Sequence, residues 1–170
     1  DMGLERFGQQ LLAELNAKFP TAQVMLWGDP AGMARDAIYE VTAFDHLRTL
    51  GLRAQPTYSN DFKVRREAAA MPMQRLINGK PGLMVATECK MLRKSLAGGY
   101  HFKRVAIGAG QERFRDAPNK NEHSHVGDAF GYLLLGGGEH KRMTKSGLQA
   151  SGTFMVPTVA TAEWDVFSVR

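Results

Sequence analysis

The chain has 170 residues, 44% hydrophobic and 23% charged, the length and balance of one globular domain able to bury a core. No apolar run approaches the roughly 18 residues of a membrane span, the start with Asp1, Glu5 and Arg6 does not read as a signal peptide, and Cys89, the single cysteine, excludes an internal disulfide and a cysteine-rich zinc centre. Lys and Arg total 22 against 17 acidic residues, a net charge of +5, which favours a polyanionic partner without requiring one; a lone cysteine fits a reducing, intracellular compartment.

Leu4, Phe7, Leu11, Leu12 and Leu15 recur at helical spacing, which predicts an opening amphipathic helix that ends before Pro20. Val24 to Trp27 is a short apolar run closed by Asp29-Pro30-Ala31-Gly32, the pattern of a strand buried on both faces. Ala37, Val41, Phe44 and Leu47 predict a second helix, stopped by Gly51. Arg53 to Tyr58 reads as a second strand, and Ser59, Asn60 or Asp61 as the cap of a helix running toward Asn78-Gly79, kinked or divided at Pro72.

Leu83 to Thr87 is expected as a third strand and Glu88 to Leu96 as a third crossover helix closed by Gly98-Gly99. There the alternation stops. Tyr100 to Val105 and Glu112 to Arg115 flank Gly108-Ala109-Gly110, the pattern of a β-hairpin with a glycine-rich tip. Asn121 or Ser124 caps a last helix through Leu135, ended by Gly136-Gly137-Gly138. The stretch from Glu139 to Arg170 has little periodicity and is expected to be a mobile tail. Such alternation predicts a largely parallel α/β sheet, and no internal repeat is present.

Asp29 follows the first strand directly, and ligands of open α/β sheets bind beyond the carboxyl ends of strands. Asp-Pro after a strand also makes an ordinary turn, because Asp bonds its own backbone. Asp128 carries more information. Val126, Ala129, Phe130, Leu133 and Leu134 line one face of its helix, while Tyr132 and Leu135 cover the side of Asp128. A helix apolar nearly all round is buried, and a carboxylate there needs a partner or a metal. The plainer reading is an Asp favoured by the helix dipole, a stabilisation of about 0.3–1 kcal/mol.

His123 and His125 precede Asp128, with no cysteine to join them as a zinc site. Oxygen ligands without thiolates suit Mg²⁺ or Mn²⁺. His123 reads as a surface residue near a helix cap, and His125 as the one that lies nearer the site. Lys103, Arg104, Arg113, Arg115 and Lys120 belong to the hairpin and its flank, with Tyr100, Phe102 and Phe114 interleaved, and Lys90, Arg93 and Lys94 sit on the helix before it. Clustered cations hold phosphates without reading sequence, so these form a candidate DNA track; a solvated charged face is the alternative. Gly108-x-Gly110 lacks the following helix of a dinucleotide fingerprint, and Asn78-Gly79-Lys80-Pro81 lacks the rest of a P-loop.

In their order and spacing from Asp1 to about Glu139, several stretches resemble the C-terminal nuclease domain of the terminase large subunit of tailed phages. They are Trp27-Gly28-Asp29-Pro30-Ala31-Gly32, Ser59-Asn60-Asp61-Phe62 leading to Arg65-Arg66-Glu67-Ala68, Gly79-Lys80-Pro81-Gly82-Leu83, Cys89-Lys90 through Gly98-Gly99-Tyr100-His101, and Ser124-His125-Val126-Gly127-Asp128-Ala129. The resemblance implies an RNase H-like α/β fold, a mixed sheet flanked by helices, with the hairpin before the last helix. It implies a domain over residues 1–138; the tail over 139–170 lies outside the resemblance. The activity implied is a Mg²⁺- or Mn²⁺-dependent endonuclease with a two-metal site, cutting concatemeric double-stranded viral DNA during genome packaging. It would work in the cytoplasm of the infected bacterium, alongside an ATPase domain, a small terminase and a portal.

The family's site uses three acidic residues. Asp29 matches the second and Asp128 the third, both as metal ligands, with His125 beside them and Lys90 and the hairpin cations on the DNA backbone. The first acid, on a strand upstream of the opening helix in a Trp-Asp-Phe-Gly-like stretch, has no match here, nor does the ATPase motor that precedes it. Two-metal hydrolysis holds its ions about 3.5–4 Å apart through bridging carboxylates, so a substitute is needed, and Asp36, Glu88 and Asp61 are the candidates. Another class of function fits the same residues: a catalytically silent DNA-binding or assembly fragment that docks on the portal or on the rest of its own domain. An unrelated metal-binding α/β domain would leave the basic hairpin unexplained.

Overall fold

The leucine periodicity produces helix α1, Leu4–Lys18, which begins after Gly3 and ends at Phe19. In the computed structural model residues 2–36, 40–106 and 112–139 are described. Leu11, Leu12 and Leu15 are half-buried, Gly8 lies under Leu47 and Leu50 of the second helix region, and Glu5 meets His46 at 2.7 Å. These contacts lay α1 along α2, Ala43–Thr49.

Helix α2 starts later than the expectation from Ala37. Thr42 accepts from the Asp45 backbone N–H while Asp45 accepts from that of Thr42. This reciprocal cap satisfies two donors that would otherwise be orphaned, and so fixes the start. Val41 is exposed, in an extended stretch where Arg35 and Thr42 pair antiparallel. Ala37 lies outside the described residues. Gly51, at φ +89°, ends the helix region as expected.

Strands β1, Met25–Gly28, and β2, Arg53–Pro56, pair in parallel with Met25 opposite Arg53 and Gly28 opposite Pro56. Their β1–α2–β2 arrangement is the one parallel unit among the described residues. Strand β1 is less buried than expected, with Met25 exposed and Leu26, Trp27 and Gly28 half-buried. Among the described residues it has no neighbour other than β2.

Helix α3, Phe62–Gln74, begins under Asp61, whose carboxylate accepts from the Lys63 backbone N–H, and runs on through the buried Pro72. Beyond it the expectation of a third parallel strand over Leu83–Thr87 fails. The chain reverses at once in a small antiparallel pair, β3 (Leu76–Ile77) with β4 (Lys80–Pro81). Asn78 and Gly79 stand at φ +51° and +78° between them, which is the backbone demanded by a two-residue hairpin turn. Residues 83–87 then run without strand pairing and Met84 is 77% exposed. A largely parallel sheet therefore does not form. The fold is mixed α/β, with five α-helices and three separate two-stranded sheets among the described residues.

Helix α4, Lys90–Lys94, passes into a wider π-type turn, Ser95–Gly99, and Gly98 leaves helical geometry at φ +110°. Strands β5, Phe102–Ala106, and β6, Glu112–Pro118, form the expected antiparallel hairpin, with Arg104 opposite Phe114 and an irregularity between Phe102 and Arg104. The glycine-rich tip lies outside the described residues, as does the tail from 140 onward. Helix α5, Glu122–Gly136, is capped by Asn121, which accepts from the backbone N–H groups of His123 and Ser124. No helix among the described residues is long and apolar enough to cross a membrane.

Helix α5 packs on α3 and on β1, and its buried face differs from the one expected. Ser124, Phe130, Gly131, Tyr132 and Leu135 are inside, while Ala129 is exposed and Leu133 is 53% exposed. The helix is thus two-sided rather than apolar all round. Two glycines set how close it comes. A Cβ on Gly131 would stand 3.2 Å from the Cβ of Arg65, and one on Gly136 would stand 2.1 Å from Cγ of Trp27. Gly136→Ala is therefore expected to drive α5 from β1 and destabilise the fold by about 1–3 kcal/mol. Urea unfolding followed by circular dichroism measures this; an unchanged midpoint would mean that Trp27 does not rest on this helix turn.

Candidate functional site

Asp128 sits one turn into the buried side of α5, at 14% side-chain exposure, where an uncompensated carboxylate would be unstable. Three donors meet it. Arg65 Nη1, from α3, donates to Oδ1 at 2.5 Å, and the Tyr100 hydroxyl donates to the same oxygen at 2.8 Å. Lys120 Nζ, from the link between β6 and α5, donates to Oδ2 at 2.5 Å. Burial alone would push the Asp128 carboxyl up, but the hydrogen bonds from Lys120, Arg65 and Tyr100 outweigh it and hold the group below the usual carboxylate range.

Arg65 is itself only 8% exposed. Its guanidinium lies over the Tyr132 ring, 4.4 Å from the centroid, and 5.9 Å from that of Phe62. Such stacking suits a planar, weakly hydrated cation better than an ammonium. Tyr132, one helical turn beyond Asp128, carries the connection across the site. Burial pushes its hydroxyl's pKa up, and the hydrogen bond to Asp29 adds to that shift. The charges of Arg65 and Asp128 are felt at the same hydroxyl. Burial likewise raises Tyr100, with the Asp128 hydrogen bond next in weight. Asp29 stands at the carboxyl end of β1, and Asp128 lies on α5, the helix that packs on that strand.

Asp29 makes the turn read from its sequence position. It is exposed, and its Oδ1 accepts from the Ala31 backbone N–H at 2.9 Å, capping the short 3₁₀ turn Pro30–Met33. His125 is exposed on α5, and His123, half-buried, packs against Gly99. Of the three substitute acids, Asp36 and Glu88 are exposed, the latter accepting from Thr87 Oγ1, and Asp61 caps α3. No group of three His, Cys, Asp or Glu side chains converges among the described residues.

The basic hairpin is rooted against this site. Phe62 on α3 meets the Tyr100 ring at 5.6 Å and the Phe102 ring at 5.4 Å, both edge-on. Phe102 opens β5, so the aromatic contact fixes the hairpin base one turn along α3 from Arg65. Lys103, Arg104, Arg113 and Arg115 are exposed on the strands, as are Lys90, Arg93 and Lys94 on α4. Arg113 pairs with Asp116 at 3.0 Å, Arg104 stacks on Phe114, and Lys120 is held by Asp128.

Sequence reasoning gave no role to Arg65, Tyr100 or Tyr132. Signals existed for two of them. Arg65 shares the spacing of Ala68 and Pro72, placing a cation on the inward face of α3, and Tyr132 follows Asp128 by four residues on α5. Tyr100 reaches the carboxylate through the π-type turn, which periodicity does not reveal.

For Mg²⁺ or Mn²⁺, the donor set fits one hard ion. Such ions are held by one or two carboxylates plus water and substrate phosphates. Asp128, whose Oδ2 faces the exposed Lys120, and Asp29 at the end of β1 would supply the carboxylates. A second ion would need a further carboxylate beyond those that the described residues bring together.

Comparison with models of protein families, with curated proteins and with solved structures found no match. The site rests on its own geometry, which gives a direct test. Breaking a buried pair leaves a lone charge, so Arg65→Met should destabilise the fold by about 3–5 kcal/mol, and the Arg65→Met/Asp128→Asn pair by less than the sum of the single changes. Held low in the folded chain, Asp128 stabilises the fold in full above its unfolded value, about 3.9, and loses that contribution as pH falls through the folded value. The stability gap between the natural chain and Asp128→Asn should therefore narrow below about pH 4, measured by urea unfolding at stepped pH. A gap independent of pH would contradict the Asp128 assignment.

Proposed function

We propose that this chain is the DNA-cutting domain of a terminase large subunit, with an RNase H-like fold, that cleaves concatemeric viral DNA during packaging. The observation that carries this reading is the buried Asp128, on a helix packed on the strand that ends at Asp29 and beside the root of a basic hairpin. Asp29 lies beyond the carboxyl end of a parallel strand, where open α/β sheets bind ligands. Asp128 comes to it from a helix packed on that strand.

The chain's own residues supply position and charge. Arg65 and Tyr100 hold one oxygen of Asp128, and the cations of α4 and the hairpin hold duplex phosphates without regard to sequence. When bound by Asp29 and Asp128, Mg²⁺ or Mn²⁺ supplies Lewis acidity and an acidified water for phosphodiester hydrolysis. In the family that the sequence resembles, the first acid stands on a strand upstream of the opening helix; among the described residues β1 pairs with β2 alone.

One arrangement favours the second reading, a silent DNA-binding or assembly fragment. Both oxygens of Asp128 are already engaged by protein cations and a hydroxyl. Plasmid nicking separates the two. With Mn²⁺, supercoiled DNA should be nicked without sequence preference. Asp29→Ala or Asp128→Ala should reduce the rate by more than about a hundredfold, since even outer partners of metal ligands are worth about 10–100-fold. Cleavage unchanged by Asp128→Ala would overturn the assignment. Salt-sensitive duplex binding without any cleavage would establish the silent fragment instead.

A further inference from the structure

The two cations on Asp128 are built differently, and the difference bears on metal binding. Arg65 reaches Oδ1 from inside the fold, is 8% exposed, and is pinned between the rings of Tyr132 and Phe62. Lys120 reaches Oδ2 from outside and is 67% exposed. Its backbone stands one residue before Asn121, which is anchored through its side chain to the His123 and Ser124 backbone N–H groups and to the Gly99 carbonyl. The main chain at Lys120 is therefore held, while its exposed side chain meets Asp128 from the solvent side. A lysine is a compact point charge on a flexible four-carbon stem, whereas a stacked guanidinium is fixed in place.

We propose that Lys120 is the resident cation of this site, a positioning residue that occupies the outward oxygen of Asp128 and must be displaced before a divalent metal can bind there. The inference rests on the metal-dependent reading above and adds a competitor to it. Oδ1 already accepts two hydrogen bonds, from Arg65 and Tyr100, so Oδ2 is the oxygen left for an incoming ion. That oxygen is the one Lys120 holds. A dication arriving at Asp128 meets the ammonium at the same atom, and like charges there oppose each other. Arg65, in contrast, stays in place and keeps the carboxylate oriented whichever cation sits outside.

Titration of the full 170-residue chain with Mn²⁺ alone, without DNA, followed by calorimetry and by the spin signal of free Mn²⁺, tests this. Lys120→Met should bind Mn²⁺ about three- to tenfold more tightly than the natural chain, the scale of an ion pair that is open to solvent at one end. Lys120→Arg, which keeps a cation at the position, should gain less. Equal or weaker binding by Lys120→Met would overturn the inference. Asp128→Asn separates this failure from that of the broader reading. Loss of Mn²⁺ binding in Asp128→Asn with no gain in Lys120→Met leaves the metal site standing and removes only the competitor. Undiminished binding in Asp128→Asn would overturn both.

Discussion

The Arg65 guanidinium is the contact on which the rest of the site depends. It comes from α3, bonds Asp128 on α5, and lies flat on Tyr132 one turn farther along the same helix. Each partner needs the others. The buried carboxylate requires a cation, the buried cation requires a carboxylate, and the ring covers the face of the guanidinium that water would otherwise occupy. Gly131 stands between Asp128 and Tyr132 and lets the Arg65 stem lie against the helix backbone, 3.2 Å from where a Cβ would be. A side chain there would separate the helices and lengthen the pair. The register of α3 on α5 thus follows from one charge and one missing methyl group.

From this contact the geometry spreads in two directions. Tyr132 passes it to Asp29 and so to the end of β1, while Trp27 in the same strand rests on Gly136 near the end of α5. Phe62, one turn before Arg65, passes it to Tyr100 and Phe102 and so to the base of the hairpin. Strand end, helix and hairpin come from distant parts of the chain. Aromatic side chains and one guanidinium hold them around a single carboxylate. The exposed cations are then carried on an element whose root is fixed relative to Asp128.

The elements that periodicity foretold are those whose burial is one-sided or whose ends are chemically marked. Helix α1 follows its leucines, α3 begins under Asp61, and α5 begins under Asn121. The failures share a cause: a short local preference overrode a longer pattern. The Thr42–Asp45 cap delays α2, and the Asn78-Gly79 turn folds the chain back before Leu83. The apolar run after it then has no neighbouring strand to pair with among the described residues. Asp29 and Asp128 were legible because a carboxylate in an apolar setting is conspicuous in sequence. The setting of Asp128 was not, since it depends on Tyr132 and Arg65, which read as an ordinary core tyrosine and an ordinary helix arginine until their surroundings are known.

The charges at this site balance among the chain's own residues. Two carboxylates, Asp29 and Asp128, are set against two cations, Arg65 and Lys120. A site that relied on a dication alone for compensation would place two negative charges near a buried tyrosine pair whenever the ion left, with burial and repulsion acting together. Arg65 removes that instability from within, at a position where no solvent ion is required. The remaining cation, Lys120, is on the solvent side and on a flexible stem. Compensation of the same carboxylate is thus fixed at one oxygen and carried by a flexible stem at the other.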